Sequence, residues 1–490
     1  MTSAPPVVFE PTQEPMSAVD RAWLEMDGPH NPMVVASIME FERVADAEAL
    51  ARAFVDRLLS QRRYRQRVVQ TQDGYAWKED DAMHLGYHVQ FRSLEGASSA
   101  PGLQAAVAAE LANSLDRALP LWRICLFVRR GGRVTLLFRA HHAIADGVAM
   151  MRGLLQLADG ATPARDETPA PPAALHGPLG GVIHRLEAVN ALLENLTEFV
   201  VDDLRHPGQF TQQVEDARRA FLAVSRVLLL PDNNPCCFRV APCGQRAVAW
   251  TSHLSFPAVR RLAHAQGVTI NDAFLTALTG AFGRYLRRLG PGLAEDQNLR
   301  VSVPVNLRAP GDGQTGNSFG LVLVDLPVGL EGWHARLDVI AERMAALKKS
   351  PEARALFASL AAAGRLPVAA EKQLVNFMGG KAAAVVSNLP GPRRALVLGG
   401  ARLSNMVFWP PQTGDIGIGV SFLSYAGHVT VGVSVDTAQV ARPQQLIDDF
   451  CAELEAMLGR SPAVRRAGSR RAPRPSSTAR SSIGVNHAKA

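Results

Sequence analysis

The stretch Ala140-His141-His142-Ala143-Ile144-Ala145-Asp146-Gly147-Val148-Ala149 limits what this chain can fold into more than any other. Before it, Val134–Phe138 is a short, apolar, β-prone run of the kind that forms a buried strand. After it, Val148, Met151, Leu154, Leu155 and Leu157 recur at near-helical spacing between Gly147 and Asp159. Two histidines, three spacers and Asp-Gly therefore fall on a strand–loop–helix junction. Such a junction lets side chains project from a rigid scaffold into a cleft.

These residue types suit general-base chemistry. Imidazole has the side-chain pKa nearest neutrality, so it can accept a hydroxyl proton and release it later. His142 is the expected base and His141 a neighbour that packs or orients. Asp146, with the Gly147 turn, is expected to hold the loop in shape through an arginine rather than to touch the reacting proton. A histidine beside an apolar strand is often simply hydrogen-bonded in a core. The complete pattern, however, arises by chance on the order of once per thousand chains of this length. A metal site is the sharper rival, since His and Asp four apart on a helix can coordinate one metal ion. No HExxH or CxxC cluster supplies further ligands, so no metal is expected.

At 490 residues the chain is too long for one ordinary core, which points to two lobes. No run of about 18 apolar residues is present, and Met1-Thr-Ser-Ala-Pro-Pro lacks the features of a secretory signal. Five cysteines without metal-ligand spacing fit a reducing cytoplasm. The net charge of +7 is concentrated at one end: from Arg460 onward there are seven arginines, one lysine and no acid, so the preceding residues sum to −1. A nearly neutral body argues against nucleic acid as a partner.

Along the chain, helices are expected at Trp23, Asp46–Leu59, Leu103–Leu115, Pro257–Gln266, from a Thr269 cap to Arg288, Trp333–Ser350 and Pro443–Leu458. Strands are expected at Met33–Phe41, Trp122–Val128, Val301–Arg308 and Leu321–Leu326, with a hairpin over 415–436. Arg63-Tyr-Arg-Gln-Arg67 reads as a solvated basic face. Residues 163–178 are rich in Pro and Ala, and 182–204 and 214–230 look helical with broad apolar faces. They divide the chain into a lobe over 1–160, a helical connector over 161–245, a second lobe over 246–459 and a disordered basic tail over 460–490.

His141-His142-xxx-Asp146-Gly147 resembles the signature of the CoA-dependent acyltransferases that include chloramphenicol acetyltransferase and peptide-synthetase condensation domains. Further blocks resemble the bacterial wax ester synthase/diacylglycerol acyltransferase family. They are Ser17, Asp20, Pro29 and Asn31-Pro32-Met33; Leu115-Asp-Arg-Ala-Leu-Pro-Leu-Trp122; Asn271-Asp272; Pro304 with Arg308; Gly316-Asn317 with Gly320; and Ser387-Asn388-Leu-Pro-Gly-Pro392. The likeness runs over roughly residues 16–458, with Arg123 standing where an acidic residue is common.

The resemblance implies an α+β fold of two chloramphenicol-acetyltransferase-like lobes, each a mixed sheet with helices, and an active site between them. It implies transfer of a long acyl group from acyl-CoA, as co-substrate and with no bound cofactor, to diacylglycerol or a long-chain alcohol. Besides the histidine motif it marks Asn271, Asp272, Arg308, Asn317, Ser387, Asn388 and Trp122 as supporting or substrate-binding. Arg308 would pair with Asp146, and Asn271 or a backbone N–H near Gly147 would face the oxyanion. Other readings stand beside these: Trp122 as core packing, Asp272 as a helix cap, Ser387 and Asn388 as turn formers. For the whole chain the alternatives are a condensation-type or small-molecule acyltransferase, or a non-enzymatic lipid-binding protein. A cytoplasmic protein in peripheral contact with a membrane or lipid droplet is expected, with the apolar helices or the basic tail as contact.

Overall fold

Strand pairing in the computed structural model, which describes residues 13–28, 32–72, 74–94, 99–160, 236–251, 253–290, 293–306, 319–349 and 380–459, builds two large sheets and one small one. The small sheet orders Gln13–Pro15 (β1), Gly74–Glu79 (β4) and Gln66–Thr71 (β3). The first large sheet runs, edge to edge, Val397–Leu398 (β13), Ala401–Trp409 (β14), Val34–Phe41 (β2), Arg133–His141 (β7), Trp122–Arg129 (β6) and Val89–Ser93 (β5). The second runs Phe319–Leu326 (β11), Leu299–Asn306 (β10), Ala384–Pro390 (β12), Ile418–Tyr425 (β15), His428–Asp436 (β16) and Arg246–Trp250 (β8), with Leu254–Ser255 (β9) also on β16. Both are mixed: β5 lies parallel to β6, and β12 parallel to β10 and β15, while the other neighbours are antiparallel.

Helices Ala18–Met26 (α1), Ala47–Ser60 (α2), Leu85–His88 (α3), Ala100–Leu111 (α4) and Gly147–Gln156 (α5) accompany the first sheet. Phe256–Ala265 (α6), Ile270–Leu289 (α7), Trp333–Lys349 (α8) and Pro443–Met457 (α9) accompany the second. The expected stripe Leu50, Phe54, Leu58 of α2 packs with Met39 and Phe138 in one core. In the other, Leu275, Leu278 and Phe282 of α7 meet Val301, Val386, Val420 and Phe422, with Phe450 of α9. α7 starts on the expected capping box, with Asp272 N–H donating to Thr269 Oγ1 (3.2 Å) and Thr269 N–H to Asp272 Oδ2 (2.9 Å). The β15–β16 hairpin turns on Ala426-Gly427, both at positive φ (47° and 84°), the conformation a two-residue hairpin loop needs.

Strand pairing and side-chain contacts add detail that the sequence reading lacked. Residues 401–409 do not stay with the rest of 246–459: β14 pairs antiparallel with β2, from Leu403↔Phe41 to Trp409↔Ala36. Without that strand β2 would present an open edge, so the second half of the chain closes the first sheet. The two lobes are thereby interlocked, and Ser37 Oγ donates to Val407 O at 2.9 Å. β12 carries Ser387-Asn388 within the strand and continues to Pro390, paired along β15 as far as Ser424. β7 does not stop at Phe138; it reaches His141. Within the stretch Arg63–Arg67, Arg63 is not free: it lies over the Trp77 ring at 4.5 Å and pairs with Glu14 at 2.8 Å, while Arg65 lies 3.5 Å from Glu79. The expected connector helices and the basic tail lie outside the described residues.

Candidate active site

β7 and α5 place the histidine motif. Val34↔His141 is the last register pair of β7 with β2, and the backbone N–H of His142 donates to Met33 O at 2.7 Å. The chain thus leaves the sheet with both histidines held by β2. Their environments differ.

His141 is 1 % exposed. Its Nδ1 accepts the N–H of Ala143 at 3.1 Å, so the ring proton of the neutral form is on Nε2. Nε2 lies 3.9 Å from Asp27 Oδ1. Burial, then the Arg117 guanidinium and then His142, push the His141 pKa down to about 3. His141 is therefore a neutral imidazole that fixes the turn after β7. Asp27 supports it: Oδ1 accepts the Met33 N–H at 2.7 Å, and Arg117 approaches Oδ2 at 3.4 Å while donating to Leu24 O at 2.6 Å.

His142 keeps 6 % exposure at the meeting of the two sheets. Its ring lies 4.2 Å from that of Trp23 on α1, tilted 33°, and 5.5 Å from Phe319 at the start of β11. Trp23 and Phe319 also face each other at 5.8 Å. One wall comes from the first lobe and the other from the second.

Asp146 is buried at the N-cap of α5, and its Oδ1 accepts from Val148 N–H (3.0 Å) and Ala149 N–H (2.9 Å). It thus shapes the loop through its own helix. The arginine expected to partner it, Arg308, lies outside the described residues, as does Asn317. Gly147 follows from close packing: a Cβ there would stand 3.2 Å from Leu389 Cδ1 of β12.

The second-lobe motifs converge. Asn388 Nδ2 donates to Asn271 Oδ1 at 3.3 Å, joining β12 to the first turn of α7. Ser387 is buried and, by strand alternation, shares a face of β12 with Leu389, whose side chain reaches the histidine loop. Asp272 is held in the capping box. Trp122 is fully buried: its indole donates to Tyr64 O at 2.8 Å, and His88 stacks on it at 4.4 Å. It packs the core, the first of the two readings its place beside Pro120 allows.

Trp23, Asp27, Arg117 and Phe319 were not singled out from sequence as site residues. Arg117 sits inside the Leu-Asp-Arg block, which was the one available signal for it. Among the described residues no group of three His, Cys, Asp or Glu side chains could hold a metal ion, and no helix is long and apolar enough to cross a membrane.

Residues 16–274 match the model of the wax ester synthase/diacylglycerol acyltransferase catalytic domain, and residues 315–458 that of the WS/DGAT C-terminal domain. A Mycobacterium bovis protein, named provisionally as a diacylglycerol O-acyltransferase, is 28 % identical over 95 % of this chain and 96 % of its own. Among solved structures, a wax ester synthase/diacylglycerol acyltransferase from Marinobacter aquaeolei superposes with a TM-score of 0.63 at 22 % identity, over 91 % of this chain and 100 % of its own. The starter condensation domain of rhizomide synthetase, solved with C8-CoA and Leu-SNAC, gives 0.55 at 16 % identity, over 91 % and 94 % of the two chains. The expected α+β, two-lobed architecture is the one these neighbours share. The chain belongs to the wax ester synthase/diacylglycerol acyltransferase family and is an acyltransferase of that family.

Proposed function

We propose that this protein transfers a long acyl group from acyl-CoA to the hydroxyl of diacylglycerol or of a long-chain alcohol, with His142 as general base. The observation that carries the reading is the placement of His142, tethered through its backbone to Met33 and flanked by Trp23 from one lobe and Phe319 from the other. The relative named for diacylglycerol acylation and the neighbour solved with an acyl-CoA support the choice of acceptor and donor.

In this reading the imidazole of His142 takes the hydroxyl proton as the oxygen attacks the thioester carbon. The carbonyl electron pair moves onto oxygen, giving a tetrahedral oxyanion. Its collapse breaks the C–S bond, and the thiolate of CoA leaves with the proton that His142 held. Ester and free thiol are the products. Val148 and Ala149 spend their N–H groups on Asp146, so Gly147 carries the first-turn N–H proposed to face the oxyanion. Asn271, tied to Asn388, would line the second-lobe side, and Ser387 lies on the adjoining strand face. Arg308 and Asn317 keep their proposed supporting places.

The boundaries 1–160, 161–245, 246–459 and 460–490 serve as a chain-order division, with 397–409 returned to the first sheet. Peripheral contact with a membrane or droplet is proposed because both substrates are lipids. Mixing the protein with palmitoyl-CoA and either hexadecanol, dioleoylglycerol or no acceptor tests the reading. Acceptor-dependent release of free thiol, matched by ester, is expected; binding without release would leave a lipid-binding protein.

A further inference from the structure

Trp23 is 5 % exposed, and its indole N–H meets no hydrogen-bond acceptor among the described residues. An indole nitrogen can only donate, and a buried donor left unpaired forfeits the hydrogen bond it had with water. Such a cost in a packed region calls for a reason.

Trp77 and Trp409 share the deficit, so the unpaired group alone says little. Their surroundings separate them. Trp77 lies under the Arg63 guanidinium, and Trp409 meets the Trp250 ring edge-on at 5.8 Å. Both are charged or aromatic contacts within a core. Trp23 instead lies against the ring of the proposed base at 4.2 Å, tilted 33°, with Phe319 of the other lobe beyond. Since the indole nitrogen sits about 2 Å from the ring centre, Nε1 is within about 6 Å of the imidazole centre in any orientation of the ring. A substrate oxygen that approaches His142 on the side of Trp23 would lie within reach of that N–H.

We infer that Trp23 Nε1–H is a hydrogen-bond donor to the thioester carbonyl oxygen of the acyl donor, strengthening as that oxygen becomes the oxyanion. This rests on the reading of His142 as base in acyl transfer. The unpaired donor is then held ready for a partner that arrives with substrate, and it need not reorganise when charge develops. The ring face meanwhile limits the rotation of the imidazole. Donor and packing are separable functions of one side chain.

Trp23→Phe keeps an aromatic ring against His142 and deletes the N–H. The expected result, from thiol release with palmitoyl-CoA and dioleoylglycerol, is a fall in kcat of about 10- to 100-fold with little change in KM. Trp77→Phe, which also deletes an unpaired indole N–H, should turn over at the wild-type rate. A second readout does not depend on turnover. In the His142→Ala protein, labelled with ¹⁵N at its tryptophan indoles, the Trp23 signal is identified by its loss in Trp23→Phe and should move downfield on adding palmitoyl-CoA. A wild-type kcat in Trp23→Phe, or an unmoved indole signal at saturating palmitoyl-CoA, overturns the inference. Full activity in His142→Ala would instead overturn the base assignment, leaving the indole shift to be judged by itself.

Discussion

Lowering the pH should destabilise this protein through one side chain in particular. His141 titrates near 6.5 when unfolded but only at about 3 in the folded chain, because it is buried beside Arg117 and His142. Between those values the unfolded state binds a proton that the folded state refuses, so stability rises with pH across the window and levels off above it. One pKa unit corresponds to about 1.4 kcal/mol, so going from pH 7 to pH 5 should cost about 2 kcal/mol from this group alone. Carried to pH 3, the loss would reach about 4 kcal/mol. His88, whose pKa burial also lowers, adds a contribution of the same sign. His141→Asn isolates the effect, because an Asn oxygen can accept the N–H two residues on, as His141 Nδ1 does from Ala143, but does not titrate. The assay is urea unfolding of wild type and variant at pH 7, 6 and 5. The variant should lose about 2 kcal/mol less than wild type over that range. Parallel pH dependences in the two proteins would refute the neutral, buried state assigned to His141.

Two further predictions concern the scaffold. Asp146→Ala should lower stability by about 1–2 kcal/mol, and Asp146→Asn by less than about 0.5 kcal/mol, since Asn caps nearly as well; equal losses in urea unfolding would show that capping is not what Asp146 contributes to stability. Glu453 of α9 receives Arg284 at 2.5 Å and also pairs with Arg336, with both Glu453 and Arg336 side chains 7 % exposed. Glu453→Ala would leave a buried guanidinium unpaired and should cost about 3–5 kcal/mol; a loss below about 1 kcal/mol would mean that water replaces the carboxylate.

What the sequence made legible was local. The strand–loop–helix around the histidines spans consecutive residues, so its periodicity could be read directly. The Thr269/Asp272 capping box needs only four residues and formed as expected. Contacts between distant segments were invisible. Nothing in Ala401–Trp409 says that its partner is β2, some 370 residues earlier, because a buried strand looks the same in either sheet. Trp23 reads as one apolar position of a short helix until the fold sets it against His142, and Phe319 lies nearly 180 residues from that ring. Trp122, by contrast, could be read locally: a tryptophan beside a proline is most often core, and its surroundings are core. Asp146 was expected to work through a distant arginine that lies outside the described residues; the bonds described for it are to the first turn of its own helix.

The central claim is that one imidazole, that of His142, moves the proton of the acceptor hydroxyl. Its most direct test is thiol release from palmitoyl-CoA with dioleoylglycerol or hexadecanol, comparing wild type with His142→Ala at matched thermal stability. The account predicts a rate lowered by about 10²-fold or more with either acceptor. Equal rates in a folded His142→Ala protein would contradict it.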